Sequence, residues 1–177
     1  MGKTTILGVD FDTYTLDEAA EHAVNLMNES GQQIVCTPNP EIVMEAQHDR
    51  ELMGILKAAD MVTPDGVGVV WASKYSKTKI TERVSGYDLV LHIFEKIKNS
   101  VHTVYFLGGA PGVAEKAAEM MAKKYVGLKV VGIHDGYFDK KEEHLIIADI
   151  KKKQPSLLLV GFGSPKQEKW IYNNLRL

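Results

Sequence analysis

The residues able to do chemistry lie in short polar stretches that follow apolar runs. Val104-Tyr105-Phe106-Leu107 reads as a buried strand, and Gly108 and Gly109 break it. Pro111 suits a first helical position, where its missing N–H costs nothing, and Gly112 adds a third glycine. A strand, a glycine turn and a fresh helix N-terminus make an anion site. Unpaired N–H groups and the positive end of the helix dipole face the ligand, and glycine lets it come close. A plain strand-to-helix turn shares this pattern, but three glycines exceed what such a turn requires, which favours phosphate. The spacing is not a dinucleotide fingerprint, because Leu107 stands where its first glycine belongs. The lysine and hydroxyl of a P-loop are absent as well.

A second group of candidates surrounds Asp65, in the turn Pro64-Asp65-Gly66 after a short apolar run. A carboxylate at a strand end could act as a general base, and burial under a substrate would raise its pKa toward that task. The turn alone also explains the residue, since proline and glycine supply the backbone angles and aspartate a local hydrogen bond. Thr37 and Asn39 offer a hydroxyl and an amide for orienting sugar hydroxyls, although an N-cap role already accounts for Asn39. Arg83 carries a fork suited to diphosphate, or it pairs with a carboxylate such as Glu82 on the surface. Asp135-Gly136 and Gly163 through Gln167 follow two further apolar runs. Asp10-Phe11-Asp12 imitates a metal-binding DxD, yet no partner ligand is near it in sequence and a solvated strand end explains it. The six histidines show no paired ligand spacing, so no metal is expected. Cys36 sits in an apolar run and reads as packing, not as a nucleophile.

Positioning these residues requires alternating strands and helices. Strands are expected at Thr5–Val9, Gln33–Cys36, Met61–Thr63, Val104–Leu107, Lys129–Ile133 and Leu157–Val160. Capping boxes at Thr15/Glu18 and Asp139/Glu142 start helices running to about Asn28 and Lys153. Asn39 and Asp49 are further caps, a helix covers about Tyr87 to Lys98, and Ser164-Pro165 opens a last one. The pattern predicts an α/β fold: a single Rossmann-like domain over residues 1–177. It would be a doubly wound, mostly parallel sheet of about six strands with helices on both faces. Such sheets bind ligands at the carboxyl ends of their strands, where all five candidate loops fall.

Composition narrows the partners. The chain has 177 residues, 45% hydrophobic and 25% charged, in the range of a soluble domain. A net charge of −2 gives no electrostatic footprint for nucleic acid. One cysteine excludes an internal disulfide and fits a reducing, cytoplasmic setting. No signal peptide or spanning apolar run is visible, so any membrane contact would be peripheral.

Five motifs occur in order: Thr37-Pro-Asn-Pro-Glu41, Pro64-Asp-Gly-Val-Gly68, Arg83-Val-Ser-Gly-Tyr87, Phe106-Leu-Gly-Gly-Ala-Pro-Gly112 and Gly161-Phe-Gly-Ser-Pro-Lys-Gln-Glu-Lys-Trp170. Together they resemble the WecG/TagA/CpsF glycosyltransferase family over nearly the whole chain. The resemblance implies an inverting, metal-independent enzyme with no cofactor. It would move N-acetylmannosamine from a UDP donor to the 4-hydroxyl of N-acetylglucosamine on undecaprenyl diphosphate, in wall teichoic acid linkage-unit synthesis. Relatives with similar motifs use other sugars. By position, Asp65 would be the base, with Thr37 and Asn39 beside it in the catalytic pocket. Arg83 would hold a phosphate or sugar group, and Gly108–Gly112 with Gln167 would lie along UDP. The implied partners are a UDP-sugar and a lipid-linked acceptor at the inner face of the cell membrane. Family members continue beyond the position of Leu177 with a basic, membrane-targeting segment. Its loss would leave an open site, weak activity and an apolar surface that favours a homo-oligomer. Two other classes fit less well: a dinucleotide-dependent oxidoreductase, and a non-catalytic nucleotide-binding or membrane-scaffold module.

Overall fold

The computed structural model describes residues 2–175, so the outer bounds of the expected domain, 1 and 177, lie outside it. The chain divides into two compact units, one formed by residues up to Ile93 with those from Glu168 onward, the other by Phe94–Gln167.

The first unit opens with β1 (Lys3–Ile6) and β2 (Val9–Asp12), paired antiparallel. Leu7 and Gly8 turn the hairpin with φ of 48° and 81°, the two left-handed residues that a tight hairpin loop needs. The single strand expected over Thr5–Val9 is therefore two. A leucine in the left-handed region gave no sequence signal for the turn. Helix α1 (Leu16–Leu26) starts at the expected capping box, with Thr15 and Glu18 satisfying each other's backbone N–H groups. Strand β3 (Val35–Cys36) leads to α2 (Pro40–Ala46), α3 (Arg50–Ala58) and β4 (Met61–Val62), and β3 pairs β4 in parallel. Helix α4 (Val67–Ser73) follows, then α5 (Gly86–Ile97). Val9, Phe11, Ile34, Cys36, Leu52 and Val62 are among the side chains that fill this unit's core, with Ile171 and Tyr172 packed against it.

The second unit is built on β5 (Thr103–Gly108), α6 (Val113–Lys124), β6 (Lys129–His134), α7 (Lys140–Lys153) and β7 (Leu157–Gly161). Its parallel sheet has the order β6-β5-β7, so β5, buried from Val104 to Gly108, is the central strand. Phe94 packs on Phe106 and Tyr125, with ring centroids 6.0 and 5.7 Å apart. Helix α8 (Lys166–Leu175) closes the described chain.

Three further sequence expectations change. Hydrogen bonds join the described strands as three small sheets, not as one sheet of about six strands. Pro111 lies outside α6, because Gly112 adopts φ 84° as N-cap and the helix begins at Val113. Ser164 does not cap α8. Its Oγ is shielded from solvent and makes no hydrogen bond, and the first-turn N–H of Gln167 is met by the Gly163 carbonyl at 3.0 Å.

Between β5 and β6 the register slips after Val104, so that Tyr105 faces Gly132. A Cβ at Gly132 would stand 2.1 Å from the Tyr105 ring, whose hydroxyl donates to Asp149 at 3.0 Å. Gly132→Ala should therefore displace a buried ring and destabilise the protein by about 1–3 kcal/mol. Denaturant unfolding would check this; an unchanged midpoint would mean that the ring has room to move.

Candidate active site

The candidate residues fall into two sets, one in each unit. In the first, the parallel pairing of β3 and β4 sends two loops out at the same end, Thr37-Pro38-Asn39 and Thr63-Pro64-Asp65. Backbone bonds stitch these loops together. The Thr63 N–H donates to Cys36 O at 2.9 Å and the Asp65 N–H to Pro38 O at 3.3 Å. A third segment joins them, since the Val84 N–H donates to Pro64 O at 3.0 Å. The Thr63 hydroxyl returns a bond to Val84 O at 3.1 Å. Gly86, which opens α5, lies so close to Thr37 that an added Cβ would be 2.8 Å from its Oγ1. Thr37, Asp65 and the Arg83–Gly86 segment are thus one cluster, and Asp65 is half-buried within it.

Two members of this set carry structural duties. Asn39 caps α2, its Oδ1 accepting the Ile42 N–H at 2.9 Å, which leaves only its amide group for a ligand. Arg83 pairs with Asp88 at 3.0 Å, and not with Glu82, which accepts the Leu16 N–H. The Ser85 hydroxyl, and then Arg83, hold the Asp88 carboxyl below its usual range. A guanidinium has five donors, so the pair still leaves N–H groups for an anion.

The second set lies at the carboxyl ends of β5, β6 and β7. Gly108 (φ 140°) lies directly against the β7 backbone: a Cβ there would be 2.4 Å from Gly161 O. Gly109 (φ 72°) donates its N–H to Gly161 O at 3.0 Å and accepts the Gly136 N–H at 2.8 Å. The fold thus demands the glycines that the sequence reading took as surplus, and their number alone does not argue for phosphate. Among the described residues the N–H groups of Ala110, Gly112 and Ala114 make no hydrogen bond, so the start of α6 does present bare donors. Asp135 accepts the Tyr137 N–H at 2.7 Å and so shapes its own loop. Gln167 closes another, its Oε1 accepting the Gly163 N–H at 3.2 Å.

These loops enclose a cleft of about 630 Å³, lined by Gly109, Ala110, Gly136, Tyr137, Phe162 and Lys166, among others. Sequence reasoning named Gly109 and Gly136 but missed its aromatic and cationic walls. Phe162 stands edge-on to Phe138 at 5.6 Å, and Lys166 Nζ lies 5.1 Å from the Phe162 ring centre. Their signal was available, since aromatic residues and a lysine directly after apolar strands have no core to fill. The cleft can take a planar ring against its aromatic wall and an anion against Lys166 and the Ala110 N–H, away from Asp139 and Glu142, which also line it.

The remaining suspects have structural explanations. Asp12 is buried, accepting the Val62 N–H at 2.9 Å with Lys3 at 3.5 Å, and Asp10 accepts from the Thr5 hydroxyl. Among the described residues no three His, Cys, Asp or Glu side chains are grouped to hold a metal ion. Burial pushes the Cys36 thiol up to about 12, which leaves it inert as a nucleophile.

Three similar chains share one name, N-acetylglucosaminyldiphosphoundecaprenol N-acetyl-beta-D-mannosaminyltransferase. The protein from Bacillus spizizenii is 29% identical over 93% of this chain and 63% of its own length. That from Bacillus subtilis is 28% identical over 79% and 54%. That from Staphylococcus aureus is 32% identical over 96% and 66%. The chain therefore spans between about half and two thirds of these relatives. No helix among the described residues is long and apolar enough to cross a membrane. Residues 4–177 match the glycosyl transferase WecG/TagA/CpsF family, and the chain belongs to it.

Proposed function

We propose that this chain carries the catalytic machinery of an inverting transferase. It would move N-acetylmannosamine from UDP-N-acetylmannosamine to the 4-hydroxyl of N-acetylglucosamine on diphospho-undecaprenol. The observation that carries the reading is the cleft at the carboxyl ends of β5, β6 and β7. It offers an aromatic wall, a lysine and the unbonded Ala110 N–H, with Asp139 and Glu142 at its edge, a lining that supports a nucleoside diphosphate with its ring on the aromatic side and its phosphates toward Lys166. The names of the relatives support the sugar and the lipid-linked acceptor. The Rossmann-like, doubly wound organisation in a single domain is part of the proposal, supported by the parallel strands of both units and the loops at their ends.

In one displacement, the acceptor oxygen bonds to the anomeric carbon as the bond from that carbon to the diphosphate oxygen breaks. Asp65 takes the acceptor proton, and Thr37 with the Asn39 amide orients sugar hydroxyls. Negative charge collects on the departing UDP. Lys166, the α6 N-terminus and the free N–H groups of Arg83 stabilise it without a metal. Gly108, Gly109, Pro111, Gly112, Asp135, Gly136 and Gln167 shape the donor side. The enzyme works as a peripheral protein at the inner face of the cell membrane, where its acceptor is held.

Two substitutions separate the roles. Lys166→Gln should weaken UDP about tenfold, equivalent to ~1.4 kcal/mol, by calorimetric titration, with NAD showing no binding to the parent. Undiminished UDP affinity would remove the lysine from the donor site. Asp65→Asn should leave UDP affinity unchanged and cut transfer ~10²–10⁴-fold, since an amide cannot accept the proton. A rate within twofold of the parent would exclude Asp65 as the base.

A further inference from the structure

The first unit exposes an aromatic and lysine patch that neither the donor cleft nor the Asp65 cluster uses. Trp71 is 58% and Tyr75 80% solvent-exposed, and their rings meet edge-on with centroids 5.4 Å apart. Val67, one turn earlier on α4, is 78% exposed. Large apolar side chains left in water at Val67 and Trp71 on α4 and at Tyr75 in the turn that follows it form a surface, not scattered exceptions. Exposed Lys74, Lys77 and Lys79 follow on the same segment, and no carboxylate occurs between Asp65 and Glu82. The segment is held in place. The Thr4 hydroxyl donates to Thr78 O, the Ile80 N–H donates to Ser73 Oγ at 3.0 Å, and Ile80 is buried. The lysines on either side of Thr78 therefore extend from a fixed strap.

We propose that this α4 patch is a landing surface for an anionic lipid bilayer, with Trp71 and Tyr75 entering the headgroup region and the three lysines facing lipid phosphates. Amphipathic rings favour the membrane–water interface, and each lysine near an anionic leaflet adds attraction. The charge pattern selects this occupant over a second copy of the chain. A twofold contact sets a patch against itself, which would oppose lysine to lysine, whereas an anionic surface neutralises all three. The inference rests on the peripheral-membrane reading and assigns it to particular residues.

The protein has two tryptophans, and Trp170 is only 7% exposed, so the emission of Trp71 reports the patch. The chain should sediment with phosphatidylglycerol vesicles and not with pure phosphatidylcholine, with a blue shift in emission and loss of binding at high salt. Lys74→Glu with Lys77→Glu should lower vesicle partition at least about tenfold. Trp71→Ala with Tyr75→Ala should abolish the shift. Both variants should melt as the parent does and keep its UDP affinity. Absence of vesicle binding, binding without an emission shift, or binding unchanged in both variants would overturn the proposal. So would variants that dissociate a dimer in sedimentation velocity while binding vesicles normally, because the patch would then be a contact between copies. A parent that binds vesicles but not UDP would count against the donor cleft and leave the landing surface standing.

Discussion

The second unit depends on the near-contact of two backbones at the ends of β5 and β7. Gly108 can lie against Gly161 only because it carries no side chain; a Cβ on Gly108 would stand 2.4 Å from the Gly161 carbonyl oxygen. That approach allows the Gly109 N–H to reach Gly161 O and the Gly109 carbonyl to take the Gly136 N–H. Three loops are thereby fixed at one end of a three-stranded sheet. The cleft is what remains above them, its floor being backbone and its walls the aromatic and charged residues that each loop carries next. Rigid backbone at the floor would favour the proposed diphosphate, because donors already in place lose little freedom when a ligand arrives.

The first unit reaches a comparable result by different means. Strands β3 and β4 are two residues each, too short to hold a site by ladder bonds alone. The loops beyond them continue the pairing through Thr63 to Cys36 and Asp65 to Pro38, and the Val84 segment adds two more bonds to Thr63 and Pro64. Prolines 38 and 64 contribute as rigid acceptors, each offering a carbonyl to a neighbouring loop. Asp65 is consequently positioned by its own backbone, and its carboxylate takes no part in the bonds that hold the loop.

Much of this was legible in the sequence where a local rule governs. Both capping boxes, the Asn39 and Asp49 caps and the parallel apolar strands form as expected, because each depends on residues a few positions apart. The misreadings share a different cause. Leu7 takes a left-handed angle because the hairpin requires it, against its own preference. Ser164 looked like a cap, but the Gly163 carbonyl had already met the helix's first-turn N–H. Pro111 lost the first helical position to the left-handed Gly112 beside it. In the β5 loop, contact with β7 requires Gly108, and positive φ accounts for Gly109 and Gly112, whether or not a ligand binds there. For Lys166, Tyr137 and Phe162 the sequence carries a signal, aromatic residues and a lysine just after apolar strands, but not the fact that they share one cleft.

The two cations named for the diphosphate are unequal in readiness, and this bears on how the charge of a departing UDP could be met. Arg83 already holds Asp88, which also takes the Ser85 hydroxyl at 2.6 Å, so an incoming phosphate must compete with a carboxylate or share the fork with it. Lys166 rests on the face of Phe162, a contact worth roughly 0.5–1 kcal/mol at an exposed site. A cation held by a ring keeps its full charge and can turn toward an anion at small cost, whereas one held by a carboxylate has much of its field cancelled beforehand. In the proposed mechanism Lys166 would therefore be the stronger electrostatic partner for developing negative charge. Arg83, planar and already oriented, is better suited to fixing a group in place than to absorbing charge as the bond breaks.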